Sequence, residues 1–318
     1  MAVKILETAG ALLARYDVLI SDVWGVVHDG VWALPPACEA LTRYREQGGA
    51  VVLLSNAPAP SEQVADLLDK KRVPRDAWDR LITSGDVTRS LIAESHHRKI
   101  FHIGWQSDRA VFDRADVELV SEDEADLVVA TELNDYRTEQ PEQYRPLLER
   151  FAARGLPFIC GNPDLVVHVG HDLLPCAGSL ALIYEELGGR VAYAGKPYRP
   201  AYDLALEAAR SARGGHPADP AKVLVIGDAV RTDLAGARLM GFDSLFIAGG
   251  IHRDETMRDG VLDPAGLEAV LAGLTVKPVA AMAALGEGRR RHLQPTDHPV
   301  PEGTAAAASL SHYGMPKR

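Results

Sequence analysis

The chain has 318 residues, of which 47% are apolar and 25% charged, with a net charge of −10. That length suits about two domains at roughly 100–200 residues each, and the composition is that of an ordinary soluble globular protein. The acidic balance argues against a general nucleic-acid binder, whose footprint is a basic patch, and no run approaches the ~18 apolar residues that a membrane span needs.

The chain opens with residues 4–15, which read as a short amphipathic helix with Ile5, Leu12 and Leu13 facing a core. Lys4, Glu7 and Arg15 break the apolar run that a secretory signal requires. Val18–Ser21 is an apolar strand that delivers Asp22, followed by Trp24 and Gly25. Pro35-Pro36 opens a helix to about Gln47, proline being tolerated in a first helical turn. Ala50–Ser55 is apolar without alternation, as in a strand of a parallel sheet covered on both faces. A Pro-rich turn follows Asn56, and Ser61 caps a helix to about Lys71. A strand at Arg80–Thr83 and a helix at Gly85–Glu94 come next.

The strand–helix pattern restarts near Arg98. Strands are expected at KIFHIG, VELV, Asp126–Thr131 and in PFICGNPD, ending at Asn162, with helices near Asp108–Arg114 and over Gln143–Arg154. Core-type elements then resume: a strand at VAYA before Lys196, a helix over Pro200–Arg213, a strand from Val223 into Asp228, a helix from Thr232 to Met240 and a strand at Ser244–Ile247. A helix is expected over Pro264–Ala272 and a last short one over Val279–Leu285. This alternation predicts an α/β fold: a doubly wound, Rossmann-like parallel-sheet core with an inserted α/β cap domain. The expected boundaries are core over 1–97 and 191–276, cap over 98–190, and a low-complexity, mobile tail over 277–318. Gly249-Gly250 lacks the context of a dinucleotide fingerprint. Cys38, Cys160 and Cys176, odd in number and without metal-ligand spacing, read as reduced thiols of a cytoplasmic protein.

In an open parallel sheet, side chains at the carboxyl ends of strands gather in one crevice. Here those ends carry Asp22, Ser55-Asn56, Lys196, and Asp228 with Asp233. Each alone is ordinary turn or capping chemistry. Together they supply what phosphoryl transfer needs: a carboxylate nucleophile in Asp22, a Mg²⁺ site from Asp22 and Asp228, and donors for phosphoryl oxygens from Ser55, Asn56 and Lys196.

LISDVWGVVHDG, VVLLSNAPAP, AGKP and VIGDAVRTD occur in that order, with CGNPD and PCAGSLA in the segment between the second and third. On these motifs the chain resembles the haloacid dehalogenase superfamily, in its class IIA branch of nitrophenylphosphatase-like hydrolases, over about residues 15–250. The resemblance implies an aspartate-nucleophile phosphatase acting on a small phosphorylated metabolite through an aspartyl-phosphate. Asp22 would be nucleophile and metal ligand, the backbone carbonyl of Trp24 and Asp228 further ligands to Mg²⁺, and Asp233 their support. Ser55, Asn56 and Lys196 would hold the phosphoryl group, with Lys196 also orienting the nucleophile. The cap would select the substrate, with contacts drawn from His28, Asp29, Asn162 and Asp164, and would offer a surface for a homodimer. No nucleic-acid or membrane partner is implied.

One residue departs from the pattern. Phosphatases of this superfamily carry a second Asp where this chain has Trp24, as general acid to the leaving oxygen and then base for water. An indole has a single N–H donor and cannot do this. Three readings follow: substrates with good leaving groups, substitution by His28 or Asp29, or a protein that binds a phosphorylated ligand and turns it over weakly or not at all.

Overall fold

The computed structural model describes residues 3–113, 115–169 and 172–286. In chain order its two main sheets are built from β1 (Val18–Ser21), β2 (Ala50–Ser55), β3 (Arg80–Thr83), β4 (Lys99–Ile103), β5 (Glu118–Leu119), β6 (Leu127–Ala130), β7 (Phe158–Cys160), β8 (Val191–Tyr193), β9 (Val223–Gly227), β10 (Asp243–Ile247) and β11 (Ala280–Met282). The described residues pack into two compact units: 3–55 with Ala65–Leu81 and 202–286, and Asn56–Val64 with Ile82–Ala201.

The first unit is organised by a six-stranded sheet in the order β11-β10-β9-β1-β2-β3. β1 pairs in parallel with β2 on one side and β9 on the other. The chain therefore winds outward in both directions from β1, which makes the β1/β9 boundary the topological switch point of a doubly wound sheet. Every residue of β1 and β9 is buried, which accounts for apolar runs without alternation. Helices Pro35–Glu46, Ala235–Met240 and Pro264–Val270 belong to this unit.

Expectations for this unit change near both ends of its sequence. Only Gly10–Leu13 of the 4–15 stretch is helical. Residues before it run extended, because the Leu6 N–H donates to the Ala281 carbonyl and the Ala281 N–H to the Lys4 carbonyl, at 2.9 Å each; Ile5 is consequently exposed. The expected helix over Val279–Leu285 is instead β11, parallel to β10, with Ala280, Ala281 and Met282 buried. Sheet pairing on both sides overrides the helical leaning of the alanines. The part of the expected mobile tail beyond residue 286 lies outside the described residues.

The second unit holds a five-stranded parallel sheet, β8-β7-β6-β4-β5, over a core that includes Val128, Leu148, Phe151, Phe158, Leu180 and Tyr184. It takes in all of 98–190 and adds residues 56–64, 82–97 and 191–201. The helix Ser84–Ser95 ties these additions in. Thr83 and Asp86 form a reciprocal capping box, and the second carboxylate oxygen of Asp86 accepts from the Ser61 N–H at 3.0 Å. A two-stranded antiparallel hairpin, Val166–Val169 with Asp172–Pro175, was not anticipated. The expected helix near Asp108 is a 3-10 segment, Gln106–Phe112.

Asp108, 4% exposed, has its carboxyl pushed up to about 6 by burial, against opposing hydrogen bonds from Thr131, the Trp105 backbone and Ser107. The folded protein thus holds this proton up to about 6, whereas the unfolded chain releases it near 3.8. The folded state binds more protons over that window, so this group's contribution to stability declines as pH rises from about 4 to about 6 and stays low above it. Asp108→Asn should raise stability at pH 7 by about 3 kcal/mol and reduce the pH slope, measured as urea midpoints between pH 4 and 8. An unchanged midpoint at pH 7 would contradict this.

Candidate active site

The site begins at the switch point. β1 and β9 run in register from Val18↔Val223 to Ser21↔Ile226, and the Asp22 N–H donates to the Ile226 carbonyl at 2.8 Å. Asp22 and Asp228 therefore leave adjacent strands at the same end of the sheet. Asp233 returns to them through a π-helical turn, Val230–Leu234, in place of the regular helix expected from Thr232. Such turns recur where a side chain must be re-aimed. Asp22, Asp228 and Asp233 each present a carboxylate oxygen within 4.8 Å of the others. Asp228 and Asp233 are buried and Asp22 is half-buried.

The surroundings are shaped to these carboxylates. Asp228 Oδ2 accepts from the Ile251 N–H at 2.7 Å, and Asp233 Oδ2 from the Ala229 N–H at 3.1 Å. Gly25 has φ +77°, and a Cβ there would lie 2.1 Å from Asp228 Oδ2; a Cβ on Gly250 would lie 1.9 Å from the same atom. Only residues without a side chain leave the carboxylate its place. Three carboxylates this close require a compensating positive charge, and a donor set made of oxygens suits a hard divalent cation. The acidic trio and its glycine cradle thus fit a metal site.

The Trp24 side chain builds the adjoining loop. Its indole meets the His28 ring edge-on, at 5.2 Å between centroids, and covers Gly30, where a Cβ would stand 2.6 Å from the indole. His28 Nδ1 accepts from the Gly30 N–H at 2.9 Å, which fixes the ring against the loop. Asp29 Oδ1 accepts from the N–H groups of Val31 and Trp32, at 2.9 and 2.8 Å: it closes a turn. The loop is braced by the Lys71 ammonium, which donates to the Gly30 carbonyl; burial lowers its pKa.

A second group of residues lies within the other unit. Asn56 Oδ1 accepts from the Lys196 N–H at 2.8 Å, while Asn56 Nδ2 donates to the Lys196 carbonyl at 3.2 Å and to Asp164 Oδ1 at 3.0 Å. The Asp164 N–H donates to Asn162 Oδ1 at 3.1 Å. Asn56, Asn162 and Lys196 are buried. Within the units the structure therefore brings together Asp22, Asp228 and Asp233 near Trp24, and Asn56, Asn162, Asp164 and Lys196, while Ser55 ends β2 in the first unit. The contacts of Gly250, Lys71 and Glu132, the acceptor for Asn162, are not read from the sequence. Gly250 had a visible signal in its Gly-Gly step, but its partner is 22 positions upstream.

The chain also matches known proteins in sequence and in fold. The haloacid dehalogenase-like hydrolase model matches residues 19–118, and a HAD-hydrolase-like model matches residues 193–274. A crystal structure described as a hydrolase of the haloacid dehalogenase-like family from Brucella suis is 47% identical, with a TM-score of 0.77, covering 88% of this chain and 99% of that one. The ribonucleotide monophosphatase NagD of Escherichia coli is 27% identical over 73% of this chain and 88% of its own. The 5'-nucleotidase YutF of Bacillus subtilis is 24% identical over 79% and 94%. Among the described residues no helix is long and apolar enough to cross a membrane. The chain belongs to the haloacid dehalogenase-like hydrolase family, in its class IIA branch.

Proposed function

We propose that this protein is a metal-dependent phosphatase that uses Asp22 as nucleophile on a small phosphorylated metabolite with a good leaving group. The observation that carries the reading is the convergence of Asp22, Asp228 and Asp233 at the switch point of the core sheet. Names of the relatives, a ribonucleotide monophosphatase and a 5'-nucleotidase, support a small phosphorylated metabolite as the substrate; the good leaving group is argued from Trp24 alone.

Asp22, Asp228 and the Trp24 backbone carbonyl would hold Mg²⁺, with Asp233 in support. Bound there, the ion offsets negative charge on the phosphoryl oxygens. An Asp22 carboxylate oxygen attacks phosphorus, the bond to the leaving oxygen breaks with its electron pair, and an aspartyl-phosphate forms. Water then attacks that phosphorus and returns Asp22 with release of phosphate. Ser55, Asn56 and the Lys196 ammonium serve as donors to the phosphoryl oxygens, and the Asn162–Asp164 turn supports Asn56. His28 and Asp29 are occupied in shaping their loop, so neither is assigned the acid role; the leaving group departs without a protein proton. We also read the free, buried Cys38, Cys160 and Cys176 as thiols of a cytoplasmic protein.

Purified protein should release phosphate from acetyl phosphate and p-nitrophenyl phosphate with Mg²⁺ present, fall to the blank on chelation, and act far more slowly on alkyl monophosphates. No release above a metal-free blank across a broad panel of phosphorylated metabolites would sink the reading. Trp24 favours a second reading, a binder that turns over weakly or not at all. It predicts ligand-dependent stabilisation without turnover.

Gly250→Ala tests the glycine cradle. Its methyl would collide with Asp228 Oδ2, so the apparent affinity for Mg²⁺, read from metal titrations of phosphate release, should fall about 10–100-fold. An unchanged titration would show that Asp228 tolerates displacement.

A further inference from the structure

We propose that Glu132 is a positioning residue for the phosphate-binding pair Asn56 and Lys196, acting through the Asn162–Asp164 turn. This rests on the reading above that Asn56 and Lys196 hold the phosphoryl group.

The geometry starts from strand register. β6 and β7 are paired so that Ala130 faces Cys160, and the Gly161 N–H extends the ladder to the Ala130 carbonyl at 2.7 Å. Glu132 and Asn162 each stand two residues past those partners, on neighbouring strand ends. Asn162 Nδ2 donates to Glu132 Oε1 at 2.5 Å. That bond orients the amide so that its oxygen receives the Asp164 N–H, which turns the Asp164 carboxylate to Asn56. Asn56 in turn clasps the backbone of Lys196 from both sides. Close packing leaves this path little slack. A Cβ on Gly178 would stand 2.4 Å from the Pro163 carbonyl oxygen, and one on Gly195 2.6 Å from Asn56 Oδ1.

Glu132 is an expensive residue for a merely structural position. It is 7% exposed, and its buried Oε2 meets no nitrogen or oxygen donor among the described residues, only the weak Cys176 thiol. A buried polar atom so poorly satisfied costs stability that an apolar residue of similar size would not. Burial, with Asp108 and Asp164 nearby, holds the carboxyl well above the usual range; the Asn162 amide and the Cys176 thiol, a weak donor, oppose the shift. A neutral carboxyl here still offers Asn162 an acceptor, and so would a glutamine amide. That is the chemical signature by which the role can be recognised.

The test uses the full chain with p-nitrophenyl phosphate and Mg²⁺, and thermal stabilisation by inorganic phosphate as a readout free of turnover. Glu132→Gln should stay within about threefold of wild type. Glu132→Leu should lower kcat/KM and phosphate affinity about 10–100-fold, since displacement of a binding group by ~1 Å can cost ~10²-fold. In an Asn56→Ala background Glu132→Leu should cost less than about twofold further, because residues on one path are not additive. Should Glu132→Leu fail to fold, Asn162→Ala breaks the same link and must show the same loss. A folded Glu132→Leu with wild-type behaviour, additive effects with Asn56→Ala, or a Glu132→Gln as impaired as Glu132→Leu would each overturn the proposal. If Asn56→Ala and Lys196→Ala themselves leave activity and phosphate affinity unchanged, the underlying assignment of the phosphate site fails instead.

Discussion

Asp22→Asn should lower kcat by at least about 10³-fold on every substrate the wild type accepts, in keeping with the ~10⁶-fold lost when a covalent nucleophile is removed from other hydrolases. The substitution is close to isosteric, so the backbone bond from Asp22 to Ile226 should survive. What changes is the chemistry. An amide oxygen cannot form the aspartyl-phosphate, and one negative charge leaves a trio held within 4.8 Å. Removing a like charge from the trio should, if anything, stabilise the metal-free fold, so urea unfolding separates lost chemistry from lost structure. A variant that is folded and retains more than a tenth of wild-type turnover would exclude Asp22 as nucleophile.

Trp24→Asp should have the second largest effect, in the opposite direction. General acid–base help is worth about 10²–10⁴-fold. With an Asp two positions past the nucleophile, kcat/KM on an alkyl monophosphate should rise by about 10²-fold or more, while p-nitrophenyl phosphate, whose leaving group needs no proton, gains little. Trp24→Ala is the control: it also removes the indole from Gly30 and His28, but supplies no proton donor, and should gain nothing. Both variants should lose stability, because the indole covers the loop that Asp29 and Lys71 hold closed. If Trp24→Asp gains no alkyl phosphatase activity while folded, the missing acid does not limit this enzyme.

Much of this arrangement was legible in the chain. β1, β2 and β9 announce themselves as apolar runs, and each ends in a polar group because the carboxyl end of a parallel sheet is where chain leaves the buried layer. Asp22 and Asp228 follow directly from that pattern. Other features depend on packing between residues distant in sequence. The Val279–Leu285 stretch is alanine-rich and helical by local preference, yet its neighbours in the sheet make it a strand. Lys4 and Leu6 are extended only because Ala281 pairs with them. The hold of Gly25 and Gly250 on Asp228 exists only once β1, β9 and β10 are side by side. Glu132 looks like any solvent-facing acid until β6 and β7 bury it beside Asn162.

The central claim is that Asp22 becomes phosphorylated during turnover. Rapid acid quench of the wild type with Mg²⁺ and acetyl phosphate, followed by mass analysis of proteolytic peptides, tests it most directly. The phosphoryl mass increment should appear on the peptide carrying Asp22, decay as phosphate is released, and be absent from Asp22→Asn. Steady phosphate release with no increment on that peptide, or an increment elsewhere that persists in Asp22→Asn, would contradict it.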